Sequence, residues 1–80
     1  MKLQAVYLEW EDSEFHDTGW AAYDPRRKSM LVRSMGWLVG ENARELTIAS
    51  SCDMGETPQW GAQFSIPKSA IRKRRRVNLP

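Results

Sequence analysis

From Gln59 to Ile66 polar and apolar residues alternate without interruption: Gln59, Gly61, Gln63 and Ser65 on one parity, Trp60, Ala62, Phe64 and Ile66 on the other. A two-residue period suits an extended strand with one packed face, and it suits no helix. Pro67 has no amide hydrogen for a ladder, so the strand stops there. Nowhere in the 80 residues does a 3.6-residue apolar period run long enough for an amphipathic helix. This chain is expected to be all-β.

The remaining strands follow from composition and punctuation. Residues 3–10 are rich in strand formers, with Val6, Leu8 and Trp10 on one face and Leu3, Ala5 and Tyr7 on the other. Residues 30–39 make a second strand, with Gly36 inside it as the place for a bulge or sharp bend. Gly40 to Arg44 reads as a turn and Glu45 to Ser50 as the returning strand, so the two form a hairpin. Cys52 to Pro58, with Asp53, Gly55 and Glu56, reads as a loop. Lys68-Ser69-Ala70 has the length of one tight helical turn, and Ile71 to Val77 is a fifth strand. Asp17-Thr18-Gly19 reads as a turn, and Asp24-Pro25 fits either a short helical start or an extended loop.

Five short strands in so short a chain imply a small barrel, because closure removes exposed sheet edges. The expected organisation is one barrel domain over residues 1–77, its basic last strand at 71–77, and a short tail at 78–80. A domain this small buries only about 60% of the surface its unfolded chain exposes, which leaves no room for a deep catalytic cleft.

Charge is divided along the chain. The net charge is +2 from 12 basic and 10 acidic residues. Lys68, Arg72, Lys73, Arg74, Arg75 and Arg76 account for six of the basic residues, with no acid among or after them. Residues 1–67 therefore carry 6 − 10 = −4, and residues 68–80 carry +6. The acids crowd early: Glu9, Glu11, Asp12, Glu14 and Asp17 occur with no Lys or Arg between them.

One cysteine, Cys52, rules out an intramolecular disulfide. With His16 as the sole histidine, a zinc set is not expected, and the acidic segment lacks the spacing of a calcium loop. Gly-rich phosphate loops are absent from the sequence. No apolar run reaches the roughly 18 residues that a membrane span needs. Met1-Lys2-Leu3-Gln4 leads straight into a strand pattern instead of a signal-peptide apolar stretch. The expectation is a cytoplasmic protein with no cofactor, no metal and no membrane partner.

Three resemblances follow from these blocks. Phe64-Ser65-Ile66-Pro67-Lys68-Ser69-Ala70-Ile71 resembles the strand, helical turn and last strand that close SH3-like barrels. The hairpin from Met35-Gly36-Trp37-Leu38-Val39-Gly40 to Leu46-Thr47-Ile48-Ala49 is similar to the central hairpin of Sm-like barrels. Over most of the chain, Val6-Tyr7-Leu8-Glu9-Trp10-Glu11-Asp12-Ser13, Gly19-Trp20, Gly36-Trp37-Leu38-Val39 and Ile66-Pro67-Lys68-Ser69-Ala70-Ile71 look like small bacteriophage and prophage proteins. Those proteins generally carry no assigned activity. The resemblance implies a phage origin, a bacterial host cytoplasm and a barrel fold, and no mechanism. The Arg-rich end and the short stretch between Trp20 and Gly36 depart from that pattern.

Binding features remain. Arg72, Lys73, Arg74, Arg75 and Arg76 could neutralise the phosphates of a nucleic acid or another polyanion. As a plain strand they would put Lys73 and Arg75 on the face of Ile71 and Val77, and the same charges serve to protect a solvated edge. Of the four tryptophans, Trp10, Trp37 and Trp60 run in phase with apolar neighbours and are expected in the core. Trp20 and Tyr23, beside Arg26 and Arg27, form a candidate contact surface, together with the acidic Glu11, Asp12 and Glu14. That acidic segment suits a basic partner, or the basic tail of another copy. Ser13, Glu14 and His16 lack an orienting group and an oxyanion site, so no catalytic residue is assigned. The sequence points to a non-enzymatic, phage-type module that binds a host or phage macromolecule and is open to homo-oligomer formation. A nucleic-acid-binding barrel and an oligomer that sequesters a small anionic ligand are its alternatives.

Overall fold

A computed structural model describes residues 3–12, 22 and 30–78. Within them the chain forms β1 (Ala5–Asp12), β2 (Met30–Glu41), β3 (Glu45–Asp53), β4 (Gln59–Pro67), a 3₁₀ turn (Lys68–Ala70) and β5 (Ile71–Val77). All pairings are antiparallel, in one sheet of order β4-β3-β2-β1-β5. The all-β expectation holds, and the last strand and the turn before it fall where the sequence puts them. β1 runs two residues further than the sequence reading, because Glu11 and Asp12 pair with Leu31 and Met30. β3 likewise continues to Asp53, opposite Gln59.

Closure is where expectation and structure part. Among the described residues no ladder joins β4 to β5, so the sheet stays open with those two strands as its edges. Pro67 turns the chain out of β4 into the 3₁₀ turn, and β5 then pairs with β1.

The core lies on one face of the bent sheet. Val6, Leu8 and Trp10 of β1 meet Leu46 and Ile48 of β3 and Ile66 of β4, with Val32, Leu38 and Ile71 packed against them. Fully burying a side chain of this size contributes about 1.5–3 kcal/mol, so this cluster carries much of the stability. The buried Trp10 indole N–H donates to Ser34 Oγ at 3.0 Å, which satisfies its single polar atom. Phe64 packs on Trp10 at a centroid distance of 5.6 Å and an interplanar angle of 47°.

Trp37 and Trp60 correct the core assignment. Trp37 pairs with Ala5 and Ala49 on the opposite face, half-buried, and Met35 on the same parity is 66% exposed. The core-side positions of β2 are instead Val32, Ser34, Gly36 and Leu38. Trp60 is half-buried near the start of β4, beyond the reach of the core cluster. Periodicity gave the right parity in β4, but only Ile66 of that face is fully buried.

Gly36 marks a close approach and not a bulge. A Cβ there would lie 2.8 Å from the Ala49 carbonyl oxygen. The bulge in β2 falls at Val39, where the register with β3 shifts between Leu38 and Gly40. The β2–β3 ladder runs only between Trp37↔Ala49 and Glu41↔Leu46. Among the described residues, Met30 to Gly36 therefore ladder with β1 alone and Ser51 to Asp53 with β4 alone, so the sheet forks into two arms.

Candidate interaction surface

The basic strand β5 owes its geometry to one extra residue. Glu9 pairs with Lys73 and Trp10 with Ile71, which leaves Arg72 bulged between them. A bulge reverses the parity on either side of it. Ile71 consequently faces the core beside Trp10, whereas Lys73, Arg75 and Val77 lie on the outer face. The sequence expectation that Lys73 and Arg75 share a face with Ile71 is corrected by this bulge. Arg74 and Arg76, opposite Leu8 and Val6, fall on the core side of the edge.

Arg72, Arg74, Arg76 and Lys68 each have an acid or amide brought to them from elsewhere in the chain. Arg72 donates from Nε and Nη2 to the two oxygens of Glu11, both at 3.1 Å, and from Nη1 to the Ser69 carbonyl at 2.8 Å. Arg74 donates through both terminal nitrogens to Glu41, at 3.1 and 2.7 Å. Lys68 Nζ lies 2.9 Å from the same Glu41 carboxylate. With the Gln4 amide oxygen turned toward Arg76, it accepts from Nε and Nη2 at 2.6 and 2.9 Å. On the outer face, Glu9 stands between Lys73 of β5 and Arg33 of β2 in one cross-strand row.

Bidentate contacts of this kind are stronger and more directional than single ion pairs. Glu41 shows the effect most clearly: the hydrogen bonds from Arg74, then from Lys68, hold its carboxyl down at about 2. Arg74 is raised in turn by Glu41. The Tyr7 hydroxyl donates to Glu9 at 2.6 Å; this bond lowers the Glu9 carboxyl, helped by Lys73, Arg33 and Arg75, and raises the Tyr7 hydroxyl.

Local turn chemistry puts Glu41 in position. Asn42 Oδ1 accepts from the backbone N–H groups of Arg44 and Glu45, at 2.8 and 2.9 Å, and the Asn42 N–H donates to the Glu45 carbonyl at 3.0 Å. The Lys68 N–H then donates to the Arg44 carbonyl at 2.8 Å, fastening the 3₁₀ turn to this hairpin. Glu41 thus clasps the end of the β2–β3 hairpin to Lys68 and to β5, across a sheet whose backbone does not close.

Of the candidate contact residues, the structure brings Glu11 together with Arg72. Asp12 is exposed at the end of β1, opposite Met30. Trp20, Tyr23, Arg26, Arg27, Glu14 and His16 lie outside the described residues. The sequence reading missed Glu41 and Gln4, because their partners stand 33 and 72 positions away and no periodicity links them; it also missed Tyr7, whose partner Glu9 lies one strand period away on the same face. It also did not single out the exposed side chains of β2: Met30 at 61%, Leu31 at 54% and Met35. No helix among the described residues is long and apolar enough to cross a membrane. No protein-family model, curated protein or solved structure matches the chain.

Proposed function

We propose that the protein is a non-enzymatic interaction module of phage type, a small barrel of the SH3-like or Sm-like kind that contacts a host or phage protein. The barrel reading rests on the strand order β4-β3-β2-β1-β5 and on the 3₁₀ turn between β4 and β5. The observation that carries the binding reading is the pair of exposed apolar side chains on the outer face of β2, in the arm that pairs with β1 alone among the described residues. Leu31 and Met35 are exposed there opposite Glu11 and Tyr7, with Arg33 between them, and Met30 is exposed on the other face opposite Asp12. Methionine-rich exposed surface is adaptable and typical of protein contacts. The polyanion alternative draws less support, since Arg72 and Arg74 already hold carboxylates through two hydrogen bonds each.

The test is a Leu31→Glu/Met35→Glu variant. Both side chains lie on the outer face, so the core survives and circular dichroism stays unchanged. A specific partner from host lysate should be retained by the wild type and lost by the variant. Equal retention by the two proteins would end this reading.

A further inference from the structure

The two edges of the sheet differ in a way that selects a partner. β5 presents Arg72 to Arg76 along its length, and two such strands side by side would set like charges against each other. β4 carries no charged residue over its nine positions, Gln59 to Pro67. Among the described residues no strand pairs with its outer side. An uncharged, unpaired edge is a template for another strand.

The ladder shows which groups that edge offers. The bond from the Lys68 N–H to the Arg44 carbonyl continues the β3–β4 register, in which Leu46 pairs with Ile66 and Ile48 with Phe64. Hydrogen-bonded pairs alternate in an antiparallel ladder, so the even residues of β4 bond inward to β3. The N–H and C=O groups of Gln63 and Ser65 point outward. Pro67 stands at an outward position, where its missing N–H costs no ladder bond and also caps the edge. At the other end Ala62 has φ 55, which breaks the extended run. The usable edge is therefore Gln63 to Ser65, and Phe64 at its centre is 48% exposed.

We infer that this edge pairs with the same edge of a second copy, about a two-fold axis through Phe64. This register sets Gln63 opposite Ser65 of the second copy and Ser65 opposite its Gln63, so all four outward N–H groups find carbonyls. Phe64 then meets Phe64 of the second copy in the closely spaced, non-hydrogen-bonded position, with Cα atoms about 4.5 Å apart. The pairing is isologous, so it stops at a dimer. It deepens the interaction reading above and uses β4, whereas the proposed partner surface is on β2. A ladder this short gives a weak dimer, with a Kd on the order of 0.1 mM.

Sedimentation equilibrium on the full chain tests the inference. The wild type should show a concentration-dependent dimer, and Gln63→Lys, which adds a cation to each side of the short ladder, should weaken it at least about tenfold. Circular dichroism confirms that the variant is folded. In a Cys52→Ser background, Phe64→Cys should be cross-linked by a mild thiol oxidant, whereas Gln59→Cys should not. A wild type that stays monomeric at roughly 1 mM would overturn the dimer. So would a Gln63→Lys protein that dimerises like the wild type, or assembly lost on Arg75→Ser instead, which would indicate β4–β5 pairing. The outcomes separate from those of the partner experiment: a monomer that still retains its partner through Leu31 and Met35 removes the dimer alone. A dimer whose partner binding ignores those residues removes the interaction reading alone.

Discussion

Replacing Glu41 by glutamine removes the charge that joins two parts of the sheet while keeping its shape. Glu41 accepts two hydrogen bonds from Arg74 and pairs with Lys68. The three side chains are 32%, 42% and 35% exposed, so solvent screens the contacts. Exposed pairs contribute about 0.2–1 kcal/mol each, and bidentate geometry puts this set toward the upper end. Glu41→Gln is therefore expected to cost about 1–1.5 kcal/mol. In a domain of this size 1 kcal/mol moves Tm by about 4–8 °C, which predicts a fall of about 5–10 °C at low salt. In 1 M salt, where the screening length is about 3 Å, most of the difference should disappear.

The pH dependence has a definite sign. The Glu41 carboxyl drops from 4.5 to about 2 on folding, so its contribution is complete above about 4.5 and fades as pH falls toward 2. Wild type and Glu41→Gln should thus converge across that window. Thermal denaturation of Glu41→Gln, Arg74→Gln and the double variant isolates the coupling. A difference under about 1 °C, or one unaffected by salt and acid, would refute the reasoning.

Two further substitutions probe the backbone. Gly36→Ala drives a methyl to 2.8 Å from the Ala49 carbonyl oxygen, a backbone atom that cannot swing aside, and should cost about 1–3 kcal/mol by urea denaturation. Ala62→Gly relieves a left-handed conformation at φ 55 and should stabilise by up to about 1 kcal/mol in the same assay.

Those parts of the fold written in local pattern were readable. The alternation in β4, the stop at Pro67 and the turn over Lys68–Ala70 needed only period and backbone chemistry. β5 was bounded correctly for the same reason, yet its faces were not, because a bulge at Arg72 leaves no mark in composition. Glu11 and Asp12 fell beyond the strand expected over residues 3–10 because they are acidic, while the structure uses them as strand. Trp37 looked like core because one apolar parity resembles another; the register that sets Gly36 opposite Val6 and Trp37 opposite Ala5 tells which face turns inward. The separation of charge was visible, but not its meaning. The acids that answer β5 lie 61 and 33 positions away and meet it only through the sheet order.

The central claim is that the basic end of the chain is one half of an internal electrostatic clasp. Carbon-detected NMR titration of the Glu41 side-chain carboxyl tests it most directly. The account predicts a midpoint clearly below the ordinary carboxylate value in the wild type, rising toward that value when Arg74 becomes glutamine. A wild-type midpoint near 4.5, indifferent to that substitution, would contradict it.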